Sequence, residues 1–333
     1  MAQLGTFTAE EARELAILTR SGFVESRHVG SAVVLDQHGD IQRSIGAPDK
    51  PIFPRSSLKP FQAIAVLNAG VQLRGAQAVL ATASHTGTMK HMSTVRAMLA
   101  TAGLTEDALQ CPPALPQDES TRNTMIQQGV GPQRIAMNCS GKHAAMLLAC
   151  AANGWDTEGY LHPEHPMQRA VLDTVERFTG EKPAATATDG CGAPVFAVSL
   201  VGLARGIARV RTSSPSSPFA IYRNAGVLAE AVLEDPWAIQ GPGTPNTIVI
   251  ERLGVFAKLG AEGVMVMAAR DGTTAALKML DGSGRAAMIV ALELLVRAGS
   301  LSRSDVDAVI PDLDLSVLGG EAVVGHIEVS PTL

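Results

Sequence analysis

Aromatic side chains are scarce in this sequence, at 4% of 333 residues, with eight phenylalanines, two tyrosines and two tryptophans. That scarcity argues against a stacking platform for bases or sugars. Lysine is sparse too, seven of the 27 basic residues, and the net charge is −5 with no basic block, which argues against nucleic-acid binding. No apolar run is long enough to span a membrane; the nearest, Ala144 to Ala152, is too short. The N-terminus lacks the basic start and continuous apolar stretch of a secretion signal, and there are only four cysteines, Cys111, Cys139, Cys150 and Cys191. The expectation is a cytoplasmic chain with reduced thiols. What is present is a globular balance of 46% hydrophobic and 18% charged residues, enough to bury a substantial core.

The pattern along the chain predicts a single catalytic unit over 1–333. Thr8-x-x-Glu11 opens an amphipathic helix reaching Arg20. Gly22 to His28, Ser31 to Asp36 and Ile41 to Ile45, with a turn at Gln37 to Asp40, read as a meander of antiparallel strands. From 56 to about 234 the pattern is mainly helical, with candidates at Leu58–Ala69, Ala76–Ala83, His91–Ala102, Lys142–Asn153, Pro166–Phe178, Pro194–Ala204 and Pro218–Leu233. Strands return at Thr247–Phe256, Gly263–Arg270 and Thr273–Leu280. A helix at Gly284–Ala298 and a last strand at Ala322–Val329 follow. The sheet-forming portions are thus 20–55 and 245–330. Strands, then helices, then strands fit an α/β (α+β) fold, with the two ends joined in one antiparallel sheet, helices packed on its faces and a helical lobe inserted.

Chemistry concentrates first at Ser56-Ser-Leu-Lys59, where Pro54 and Arg55 give way to a helix. A serine at a helix N-terminus faces the positive end of the macrodipole, and Lys59, one turn on, is placed to act as its base if burial lowers its pKa. An ordinary N-cap serine with a solvated lysine fits equally well: 21 serines and seven lysines predict about 0.4 such pairs by chance. Two other features add weight. Ser84, in Ala83-Ser-His85-Thr-Gly87, offers a second hydroxyl in a small polar loop, or simply ends a helix. Lys258, in Ala257-Lys-Leu-Gly260, places an ammonium in an apolar strand, which is costly unless it lines a site. Ser-x-x-Lys, then a loop serine, then Lys-x-Gly on an edge strand is the order used by serine hydrolases of the β-lactamase and penicillin-binding type.

A second cluster pairs Asn138-Cys-Ser-Gly-Lys-His143 with Thr188-Asp-Gly-Cys-Gly192. Two thiolates and a third donor would make a three-ligand zinc site with an open position, although the spacing matches no common zinc signature and two buried thiols account for it as well.

Together these segments identify a resemblance. Val24-Glu-Ser-Arg-His28, Arg55-Ser-Ser-Leu-Lys-Pro60, Ala83-Ser-His85, Asn138-Cys-Ser-Gly-Lys-His143, His165-Pro-Met-Gln168, Thr188-Asp-Gly-Cys191 and Lys258-Leu-Gly-Ala261 look like the rhizobial-type, class 3 L-asparaginases, in consistent order from Phe23 to Gly263. The resemblance implies a fold related to serine β-lactamases and glutaminases, a homodimer, and zinc beside the nucleophile. It makes Ser56 the nucleophile with Lys59 its base, Ser84 and Lys258 the second Ser–Lys pair, and Cys139, Lys142 and Cys191 the zinc ligands. Asp189 resembles the acidic residue beside the metal, and Arg55 and His143 fall where contacts to a substrate carboxylate are expected. Glu25 and His28 match family positions without an assigned step.

The implied reaction is acyl transfer from asparagine to Ser56, with ammonia leaving and water releasing aspartate. The alternatives are the same chemistry on glutamine, a peptide or a β-lactam, and a non-catalytic zinc-binding relative.

Overall fold

The computed structural model describes residues 4–333. The chain runs β1 (Arg13–Arg20), β2 (Phe23–Leu35), β3 (Ile41–Ile45) and β4 (Pro51–Ile52), then α1 (Lys59–Asn68), α2 (Gly75–Thr82), α3 (Met89–Ala100), α4 (Glu119–Gln127), α5 (Ser140–Asn153) and α6 (Pro166–Thr179). Next come β5 (Ala185–Thr188), β6 (Pro194–Ser199), α7 (Leu200–Thr212), α8 (Ala220–Glu234) and α9 (Pro245–Leu253). It closes with β7 (Phe256–Gly260), β8 (Val264–Ala268), β9 (Thr274–Met279), α10 (Ala287–Arg297), α11 (Arg303–Val309), β10 (Ser316–Gly319) and β11 (Ala322–Val329).

The expected union of the chain's two ends is present. An eight-stranded antiparallel sheet runs β10-β11-β1-β2-β9-β8-β7, with β3 also on β2. β2 is long enough to serve several partners: its first part pairs with β1, and its end lies between β3 and β9. β8 and β9 are buried at every position, as strands covered on both faces must be. α7 packs against β2, β8 and β9, and α10 against β8, β9 and β11. The lobe of α1, α2, α5, α6 and α8 carries its own apolar contacts, and its buried side chains join the sheet's in one core. No helix among the described residues is long and apolar enough to cross a membrane.

Four expectations are corrected. The predicted N-terminal helix is a single turn at Thr8–Ala12 followed by β1; its Met1–Gln3 portion lies outside the described residues. Leu15 to Leu18 favour a helix locally, but pairing to β2 on one edge and β11 on the other buries all four. The strand expected at Thr247–Phe256 is largely α9: Pro245 occupies its first turn, Gly254 ends it at φ 63°, and Asn246, Val249 and Ile250, spaced at i, i+3 and i+4, are buried on one side of it. The helix expected from Pro194 begins instead at Leu200, where the Ser199 hydroxyl caps it by accepting from the Gly202 N–H at 2.9 Å. Pro194–Ser199 is β6, which with β4 forms a small second sheet completed by β5, so two of its three strands lie inside the span read as helical. The two strands expected over 22–36 are one 13-residue strand, β2.

Candidate active site

The Arg55–Leu58 segment is one turn of 3-10 helix leading into α1, so Lys59 begins the α-helix and Ser56 sits in the turn before it. Arg55 has φ 52°, a left-handed conformation costly for a residue with a side chain. The surroundings hold it there. Arg55 Nε donates to Asp189 Oδ1 at 2.7 Å, the Ser57 N–H donates to Pro54 O at 3.0 Å, and the Ser57 hydroxyl donates to Lys258 O in β7 at 3.1 Å. Gly260 is required for this close approach, since a Cβ there would fall 2.4 Å from Pro54 O. Ser57 is therefore buried against the edge strand, whereas Ser56 is half-buried and its hydroxyl has no partner among the described residues.

Ser84 follows α2 in an extended loop clamped on both sides: its N–H donates to Ile239 O, the His85 N–H to Asn138 O and the Thr86 N–H to Gln240 O. Two lysines converge on its hydroxyl. Lys59 Nζ lies 2.9 Å from Ser84 Oγ and 2.5 Å from Ala83 O; Lys258 Nζ lies 3.1 Å from Ser84 Oγ and 2.7 Å from Leu259 O. The sequence pairs Ser56 with Lys59 and Ser84 with Lys258, but here Ser84 takes both lysines and Ser56 neither. Both amines are buried. Burial, together with the charge of Lys59 beside it, holds Lys258 well below the usual ammonium range.

The thiol cluster adjoins this one. Cys139 precedes α5, Lys142 is in its first turn, and Cys191 lies in the β5–β6 connection, all three 4% exposed or less. Gly141 lets the start of α5 approach α2, where a Cβ would fall 2.5 Å from Leu80 O. Lys142 Nζ donates to Cys191 Sγ at 2.9 Å. A hydrogen bond from Cys191 holds the Cys139 thiol well below its ordinary range, helped by the charges of Lys59 and Lys142, and lifts Cys191 above it. Burial would push Lys142 down, but the sulfurs of Cys191 and Cys139 outweigh it and hold the amine above its usual value.

Arg55 and Asp189 pair at the margin, with side chains 26% and 13% exposed. Burial would raise the Asp189 carboxyl, but the Arg55 hydrogen bond and the Lys142 charge keep it below the usual range. His143 is fully buried against Tyr160 and presents no surface for a substrate contact. Glu25 pairs with Arg20 and His28 faces Asp281, so neither is bonded to the two clusters. A cavity of about 280 Å³ shares Arg55 with the site but touches neither serine. Sequence reading passed over Ser57, whose one signal was its place inside Ser56-Ser-Leu-Lys59.

Residues 16–329 match the family model of L-asparaginase II. The chain belongs to the L-asparaginase II family. No curated protein matches the sequence. Among solved structures, this L-asparaginase II family member is similar to a β-lactamase from Mycobacterium bovis, at 14% identity over 80% of this chain and 94% of that one, with a TM-score of 0.43. It is also similar to Mglu in its native form, at 13% identity over 90% and 69% of the chains and a TM-score of 0.46. For Mglu in its glutamate form the figures are 12%, 90%, 66% and 0.45. Family membership places the chain among amidohydrolases.

Among the described residues no three His, Cys, Asp or Glu side chains group as a metal site. The donor set the family resemblance implies is different: two cysteine sulfurs and a lysine amine, with the nearby His143 Nε2 buried and unpartnered. Soft sulfur with nitrogen is a donor chemistry zinc accepts, so the residues present fit the ion.

Proposed function

We propose that the chain hydrolyses L-asparagine to L-aspartate and ammonia, with Ser56 as the nucleophile. One observation carries the reading: two buried lysines share the Ser84 hydroxyl, one of them held toward its neutral form, beside a strained turn that presents Ser56. In this reading Ser56 Oγ attacks the side-chain amide carbon, and Lys59, one turn on, takes its proton while passing one of its own through Ser84 to Lys258. Ser84, 2.9 Å from Lys59 and 3.1 Å from Lys258, relays protons between the two amines and delivers one to the departing ammonia. Water then attacks the β-aspartyl ester, and Ser56 recovers its proton. A neutral amine is what a lysine base needs, and the dry, cationic surroundings of Lys258 supply it.

Arg55 and Asp189 suit an amino acid in particular. A cation and a carboxylate 2.7 Å apart at the site margin match the carboxylate and ammonium of a zwitterion, whereas a β-lactam or an internal peptide residue offers no such pair. Cys139, Lys142 and Cys191 would hold zinc, whose positive charge would lower neighbouring pKa values and help to fix the substrate. The proposed assembly is a cytoplasmic homodimer.

Ammonia release from L-asparagine and, in parallel, L-glutamine is the test, with Ser56→Ala as the control. Release from asparagine that Ser56→Ala abolishes is the expected result. No release above that control from either amide sinks the hydrolase reading. Release from glutamine alone transfers the reading to a substrate one methylene longer.

A further inference from the structure

His85 follows Ser84 and is fully buried, yet neither the lysine relay nor the thiol cluster uses its side chain. Its ring Nε2 lies 2.9 Å from Ser140 Oγ, in the first turn of α5. A serine hydroxyl has one proton to give, and Ser140 gives its own to Ile135 O at 2.8 Å. The hydrogen between ring and hydroxyl therefore comes from the imidazole, which carries its proton on Nε2. Nδ1 is left bare and buried without a partner. Two bonds thus tie His85 to the segment that opens α5: its main-chain N–H to Asn138 O at 3.1 Å, and its ring to Ser140. In the other direction the ring stacks on His91 at 5.0 Å, and His91 on Trp237 at 5.3 Å. Trp237 lies two residues before Ile239, whose carbonyl accepts the Ser84 N–H at 3.0 Å. The imidazole links the two segments that clamp the Ser84 loop, by a directed bond to one and a stack through His91 to the other.

We infer that His85 is a positioning residue for the Ser84 proton relay, acting through its Nε2–H bond to Ser140. Stacking resists separation of two rings but not sliding across each other, whereas an N–H···O bond weakens steeply once bent. The directed bond is what fixes the loop along α5. That helix packs against α1, which carries Lys59, so the bond also fixes Ser84 against the element bearing one of its partners. Ser84 Oγ must reach two amines at once, at 2.9 and 3.1 Å, and a displacement of about 1 Å breaks at least one of those contacts. This role rests on the reading of Ser84 as the relay between Lys59 and Lys258.

The experiment is steady-state ammonia release by the full chain from whichever amide the wild type hydrolyses, with circular dichroism as the check on folding. The variants are His85→Asn, His85→Gln, Ser140→Ala, and each His85 substitution combined with Ser140→Ala. A glutamine side chain carries its N–H about as far out as imidazole Nε2, whereas asparagine stops near Nδ1 and cannot reach Ser140. His85→Asn and Ser140→Ala are each expected to lower kcat roughly 10²-fold with KM within a few-fold of wild type, the cost of misplacing a reacting group by about 1 Å. His85→Gln is expected to keep kcat within a few-fold of wild type. With Ser140→Ala present, glutamine and asparagine at 85 are expected to give the same kcat, because the acceptor is gone. Unchanged kcat in His85→Asn or in Ser140→Ala overturns the inference. If His85→Asn does not fold, Ser140→Ala decides alone, since it keeps the imidazole in place. Equal losses in His85→Gln and His85→Asn also overturn it, because ring packing would then be all that counts. Absence of ammonia release by the wild type, or wild-type activity in Ser84→Ala, overturns the relay itself and this role with it.

Discussion

Two lysines of this molecule share the same degree of burial and are driven in opposite directions. Lys258 and Lys142 are 1% and 2% exposed, and in each burial disfavours the charged form. Around Lys258 the bonded groups are a hydroxyl and a carbonyl with another lysine beside it, and the Cys139 sulfur repays only part of the lost hydration, so the amine falls far below its ordinary range. Around Lys142 two sulfurs carry or share negative charge, and they more than repay it. Burial alone therefore does not make a lysine a base; what it faces does. One site gains an amine driven toward the form that accepts protons, and the other a paired cation whose proton a metal would have to displace.

Removing the hydroxyl between the lysines is the severest way to break the first half of the comparison. Ser84→Ala is expected to lower ammonia release by roughly 10²- to 10⁴-fold with the far-ultraviolet spectrum unchanged, the usual range for a lost proton-transfer group. Activity within a few-fold of wild type would take Ser84 out of the relay.

Replacing each lysine by methionine tests the contrast itself. In metal-free protein Lys142→Met leaves the two sulfurs without their cation, and urea unfolding is expected to show a loss of about 3 kcal/mol. Lys258→Met substitutes an apolar chain of similar length for an amine that burial drives toward its neutral form, so its stability is expected to stay within about 1 kcal/mol of wild type or to rise. Equal losses would mean that burial dominates at both positions.

His91 extends the rule to an imidazole. Burial pushes it down to about 4, against the Trp237 carbonyl and the Asp118 charge, which work the other way. Its Nδ1 accepts the Thr88 N–H at 3.1 Å, so the proton of the neutral ring lies on Nε2, 3.3 Å from Trp237 O. The unfolded chain binds a proton near pH 6.5 and the folded chain only near 4, so the contribution to stability is complete above 6.5 and is lost as pH falls toward 4. That loss is worth about 3 kcal/mol. Melting temperatures between pH 7 and 4.5 should fall less steeply in His91→Gln than in wild type; parallel slopes would contradict the assignment.

The smallest effect separates neighbouring serines. Ser57→Ala loses the hydrogen bond to Lys258 O and should cost about 1 kcal/mol, with ammonia release within a few-fold of wild type. Collapse of activity in Ser57→Ala, with Ser56→Ala active, would exchange their roles.

Much of the site could be read before folding because its chemistry is carried by short segments. Arg55 to Pro60, Asn138 to His143 and Thr188 to Cys191 each bring several functional side chains into one turn or helix start, where local spacing governs geometry. The helices of the lobe were legible for a similar reason, since Pro166–Thr179 and Ala220–Glu234 keep a periodic apolar face. What misled was local preference overruled from a distance. Thr247 to Ile250 are good strand formers folded into a helix between Pro245 and Gly254, and Leu15 to Leu18 are good helix formers held in a sheet. Tyr160 had no local sign at all, because its partners come from residues 110, 143 and 168.

By itself, then, the sequence determined the inventory: which hydroxyls, amines, thiols and charged pair the chain carries, in what order, and that strands from both ends flank a helical middle. Only the tertiary structure decided the pairings. Ser84 rather than Ser56 lies between the lysines, Ser57 seals the turn to the edge strand, Arg55 accepts a left-handed backbone, and His143 is buried against Tyr160. The reason is physical: hydrogen bonding and desolvation depend on a few ångströms between segments as far as 201 residues apart, and those distances are set by the packing of the whole core.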